Sequence, residues 1–89
     1  MGVFRVIEIY DKLSEKNIST IHLGISSHEI LTLLVDLVLN SDDYPEELYD
    51  PYFLDERQVL ILLDYIGKND YVIDSNKFIY ELNCYESKE

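Results

Sequence analysis

The chain is short of several residue types at once. It holds one cysteine, which excludes an internal disulfide framework and a cysteine-built zinc site. It holds 3 glycines and 2 prolines, too few for a collagen-like or low-complexity chain. Basic residues are scarce: 7 Lys and Arg stand against 18 Asp and Glu, a net charge of −11. Phosphates are held by Lys and Arg, so nucleic acid is not expected as a direct ligand. No segment approaches the roughly 20 uninterrupted apolar residues of a membrane span. A secretion signal needs a basic start and an unbroken apolar stretch, and here Glu8 and Asp11 interrupt the first one. The expectation is an intracellular, reduced protein with no membrane partner. In that setting the sequon Asn17-Ile18-Ser19 is read as a chance tripeptide.

What remains is a chain of 89 residues, 47% of them hydrophobic. That apolar fraction is too high for a disordered acidic tail, and the length fits one domain over residues 1–89. In VFRVIEIYDKLSEK, residues 3–16, the apolar Val3, Val6, Ile7, Ile9, Tyr10 and Leu13 fall on one side of a helix. Helix is the preferred reading there, although the β-branched residues also suit a strand. Residues 18–24 read as a strand ending near Gly24. Ser26 and Glu29 then form a capping box, so a helix is expected over 27–40. Between Ile30 and Leu39, eight of ten residues are apolar. A helix apolar nearly all round must be buried nearly all round, and a domain this small rarely manages that. Asp55 and Gln58 cap a further helix over 55–67, with Gly67 as its left-handed stop. Residues 71–82 are expected to be a hairpin about Ser75-Asn76, pairing Ile73 with Phe78 and Tyr71 with Tyr80. Residues 83–89 are expected to be a frayed tail.

The class is therefore α+β, in the order helix, strand, helix, helix, hairpin. That order resembles the winged-helix arrangement, by element order alone. One departure is that helix-turn-helix units use a tight turn of about three or four residues, whereas this chain has a long acidic connection. If residues 3–16 are strand, the chain becomes a ββααββ sandwich with both helices on one sheet face.

Little in the sequence points to catalysis. His22 and His28 are the only histidines and lack metal-ligand spacing. Cys84 is flanked by Tyr85 and Glu86, which supply neither a base nor an electropositive setting for a nucleophile. No glycine lies between Gly24 and Gly67, so the calcium-loop pattern is missing, as is a phosphate-binding loop. The expectation is a protein without enzymatic activity, metal or cofactor.

The informative segment is the acidic aromatic loop, residues 41–54, SDDYPEELYDPYFL. Both prolines and three of the eight tyrosines lie in it, and Pro45 could open a helical turn through Tyr49. Extended to Glu56, it gathers seven acids and no base. It reads either as a solvated connection or as a docking surface. Carboxylates in a row imitate phosphates and steer association with Lys and Arg, while tyrosines stack on guanidinium groups. The candidate partner-binding residues are Asp42, Asp43, Tyr44, Glu46, Glu47, Tyr49, Asp50, Tyr52, Asp55 and Glu56. The expected function is that of a small inhibitor or masking protein, of the immunity-protein, antitoxin or phage-inhibitor kind. It would occlude the basic site of a nucleic-acid-binding protein. The alternatives are a winged-helix DNA-binding regulator using residues 55–66, and a dimerisation module. The surplus apolar surface of the two later helices leads to a homodimer as the expected state.

Overall fold

The computed structural model describes residues 2–44, 48–68 and 70–86. Its elements are β1 (Val3–Asp11), β2 (Asn17–His22), α1 (Ser27–Leu33), β3 (Tyr52–Leu54), α2 (Glu56–Tyr65) and β4 (Phe78–Glu86). The strands form one antiparallel sheet in the order β2-β1-β4-β3. The class is α+β, but the chain opens on strands rather than on a helix. The ββααββ alternative comes nearer and differs in placing β3 between the helices.

Residues 3–11 are strand because their β-branched side chains find a pleated surface on both flanks. Ile7 faces Ile21 on β2 and Leu82 on β4. Strand alternation is concealed in the sequence because Val6, on the opposite face, is also buried. The helical reading placed Leu13 on the apolar side, yet Leu13 is 96% exposed in the turn after β1. That turn is closed by Asp11, whose amide donates to the Lys16 carbonyl and whose carboxylate accepts from the Ser14 amide. Glu15 takes a left-handed φ of 61° there.

The Ser26–Glu29 capping box forms as the spacing predicts, but α1 ends at Leu33 rather than at residue 40. A continuous helix would have shown apolar side chains on every side. Leaving the helix instead lets Leu34 enter the core and Leu37 and Leu39 pack against it. Val35 and Val38 turn outward. Asp36, just past the helix, pairs with Arg57 of α2. Helix α2 forms with its Asp55–Gln58 capping box. At its end the Lys68 amide donates to the Leu63 carbonyl and the Gly67 amide to the Asp64 carbonyl. This Schellman closure requires the left-handed φ of 76° at Gly67.

The expected hairpin over 71–82 is a turn followed by one long strand. The Asp74 carbonyl accepts from the Lys77 and Phe78 amides, but residues 71–74 are not strand. Tyr71 and Ile73 pack on the core instead. Strand β4 runs on to Glu86 and pairs with the full length of β1, so residues 83–86 are an ordered central strand rather than a frayed tail. The rest of that tail, residues 87–89, lies outside the described residues.

The core fills one face of the sheet. Ile7, Ile9, Ile21, Tyr80, Leu82, Tyr52 and Leu54 supply the sheet side, and Ile30, Leu34, Val59, Leu62 and Leu63 the helical side. The other face carries neither helix.

Candidate functional site

The acidic loop is built around one buried carboxylate. Asp43 is 8% exposed. Its oxygens accept from the amides of Tyr44 (3.0 Å), Tyr49 (3.0 Å) and Asp50 (3.3 Å), and from the Tyr52 hydroxyl at 2.6 Å. Burial opposes its ionisation, but these donors outweigh burial and hold the carboxyl below the usual carboxylate range. Burial, joined by the bond to Asp43, pushes the Tyr52 phenol up to about 12. The same hydroxyl accepts from the Asn40 amide at 3.1 Å. Leu48 is fully buried with a left-handed φ of 48°, a strained conformation for a bulky residue. The loop's bonds to Asp43 hold that strain in place.

The sequence-derived candidates thus separate. Asp43 and Tyr52 are internal. Asp55 caps α2, and the Glu56 carboxylate accepts from the Ser75 amide and hydroxyl. Asp50 accepts from the Asn40 side chain at 3.0 Å. Asp42, Tyr44 and Tyr49 are exposed. Glu46 and Glu47 lie outside the described residues, as does the start of the helical turn expected at Pro45.

A second region combines acids and aromatics, and the sequence reading did not single it out. The sheet face without helices presents Phe4, Val6, Glu8 and Tyr10 from β1, and Thr20 and His22 from β2. Strand β4 adds Ile79, Glu81, Asn83 and Tyr85, and β3 adds Phe53. One row crosses the sheet as Phe53, Glu81, Glu8 and Thr20. Glu8 and Glu81 are therefore directly opposed, an arrangement that repels. The Asn83 amide bridges them, donating to Glu8 at 2.7 Å and to Glu81 at 2.9 Å. The Tyr85 hydroxyl also donates to Glu8, which pushes its phenol up to about 12. The Tyr10 phenol is raised by burial and by the charges of Glu8 and Glu81. Phe4 lies against His22 and Tyr85, with ring centroids 5.5 and 5.9 Å away. Phe53 is 74% exposed. Open antiparallel faces are ordinarily polar; this one carries Phe4, Tyr10, Phe53 and Tyr85 and, among its described residues, no Lys or Arg.

Strand alternation was the signal that could have found it. Read as a strand, residues 3–11 put Phe4, Glu8 and Tyr10 on one face. Phe53 alternates with Tyr52 and Leu54 in the same way. Tyr85 gave no local signal, because its position depends on β4 reaching β1.

Elsewhere the chemistry is sparse. Among the described residues no group of three or more His, Cys, Asp or Glu could hold a metal ion. Burial raises the Cys84 thiol, the opposite of nucleophile activation. Among the described residues no helix is long and apolar enough to cross a membrane. An open groove of about 730 Å³ runs beside α2, between Leu60 and Tyr71, with Glu56, Arg57, Asp64 and Lys68 at its margins. No protein-family model, curated protein or solved structure matches this chain.

Proposed function

We propose that the chain is a small binding protein that occludes a basic, nucleic-acid-binding site on a partner protein. The uncovered sheet face carries this reading. It offers exposed rings at Phe4, Phe53 and Tyr85 around two fixed carboxylates, with no Lys or Arg among its described residues to neutralise them. A guanidinium group suits that surface, since it stacks on rings and pairs with carboxylates. Bases also stack on aromatic sheets, but such platforms sit in positively charged grooves. Glu8 and Glu81 give this one the opposite sign. The exposed Asp42, Tyr44 and Tyr49 extend the same chemistry into the loop.

The winged-helix regulator reading has less to stand on. Gln58, Val59, Leu62 and Leu63 of α2 face the core, and the only base in that helix, Arg57, is paired with Asp36. Too few phosphate contacts remain to hold DNA.

The test is capture from a lysate at low and high salt, with proteins identified by mass spectrometry and bound nucleic acid assayed. Three baits are compared: the native chain, a face variant (Phe53→Ser, Glu81→Gln, Tyr85→Ser) and a loop variant (Asp42→Asn, Tyr44→Ser, Tyr49→Ser). The expected result is a basic protein retained by the native chain, released by salt and lost with the face variant. Retention unchanged by the face variant would remove the sheet face from the reading, and recovery of DNA would favour the regulator.

A further inference from the structure

The sheet has two open edges, β2 and β3. The two edge strands differ. Strand β3 is three residues long and lies between Asp50-Pro51 and Asp55-Glu56, where proline and charge guard an edge. Strand β2 is six residues long, and between Asn17 and Leu23 there is no acid, no Lys or Arg, and no proline. The register fixes which backbone groups it leaves open. The Leu23 amide donates to the Arg5 carbonyl, and Ile21 and Ser19 stand opposite Ile7 and Ile9. In an antiparallel ladder, alternate residues bond to the same neighbour. The amides and carbonyls of Thr20 and His22 therefore point away from β1. Among the described residues no strand pairs with that edge.

We infer that β2 is a self-pairing edge, through which two copies of the chain join antiparallel into one continuous sheet. Charge leaves this edge as the place where a second copy can approach. A chain of net charge −11 repels its own copy wherever carboxylates meet. Approach along β2 brings uncharged strand against uncharged strand. The antiparallel sense also sets Lys16 of each copy beside the Gly24 end of the other, not against its own counterpart. A two-fold axis makes the contact the same from both sides and closes it at a dimer. The bulge opposite Tyr10, which displaces Ile18, keeps the pairing to residues 19–23. Thr20 of one copy then pairs with His22 of the other, and Ile18, 53% exposed, lies beside the seam. This inference stands apart from the basic-partner reading, because it rests on the backbone groups of the edge and not on the side chains of the open face, to which Thr20 and His22 also belong.

Sedimentation equilibrium over a wide concentration range tests it. The native chain is expected to rise from 10.5 kDa to twice that mass. Thr20→Glu with His22→Glu sets acid against acid across the seam, and Thr20→Lys with His22→Lys sets base against base. Each pair is expected to weaken the dimer by about tenfold or more. Mixing the two variants is expected to restore a dimer of mixed composition, which unfolded variants could not do. Amide exchange of the native chain supplies a reading that needs no mutation: Thr20 and His22 should slow as concentration rises. A mass of 10.5 kDa at every concentration overturns the inference. So does a dimer indifferent to both variants, or exchange at Thr20 and His22 that does not change with concentration.

Discussion

The acidic loop and the uncovered sheet face contain the same residue types, acids interleaved with aromatics, and use them differently. In the loop, Asp43 is sunk beneath its own backbone and its acceptors are filled by three amides and a phenol. Its charge holds the loop's shape and is withheld from any partner. On the sheet, Glu8 is held by side chains alone, from Asn83 and Tyr85, and the pleat keeps it on the open side. The comparison teaches that charge density in a sequence locates carboxylates without saying which face outward. A turn can bury an acid by giving it amides. A strand has its amides committed to the ladder and cannot.

Leu48 and Tyr49 give the widest contrast within the loop. Leu48→Ala is expected to cost about 2–5 kcal/mol of stability, because a fully buried side chain leaves a cavity. Tyr49→Ala, at an exposed position, should stay within about 0.5 kcal/mol. Urea unfolding of the two variants checks this, and similar losses would show that the loop is uniformly packed.

Asp43→Ala should come next, at about 1–3 kcal/mol, since it leaves buried amides and a phenol without their acceptor. Asp42→Ala should be near neutral. The Asp43 carboxyl titrates below its unfolded value, so its contribution is complete above about pH 4 and is lost as the pH falls through the native pKa. The stability gap between the native chain and Asp43→Asn should therefore close in acid. A gap that is constant down to the acid limit would mean that the carboxylate's charge is not what the loop uses.

Glu8→Gln should have a small effect on stability, of the opposite sign. It removes the repulsion from Glu81 while keeping an acceptor for Asn83 and Tyr85, so stability should rise by a few tenths of a kcal/mol. Binding of a basic partner should weaken at the same time. A variant that gains stability with unaltered binding would return the docking role to the loop.

Local signals were legible where the chemistry was local. Both capping boxes form on the residues that predict them, and Gly67 ends α2 as expected. Strand β2 lies within a residue or two of its expected place. Residues 3–11 read as a helix because their apolar residues serve two surfaces at once. Val6 is buried on the open face and Ile7 on the core face, so residues 3–11 show a helix-like run instead of alternation.

The sequence by itself determined the α+β class, the helix starts and the strong negative charge, since each rests on residues within a few positions of one another. Only tertiary structure decided where α1 stops, because the limit is how much apolar surface so small a core can cover. The same holds for the partner of residues 83–86, which is the first strand of the chain. The acids left facing solvent were decided in the same way, since burial depends on contacts made far along the chain.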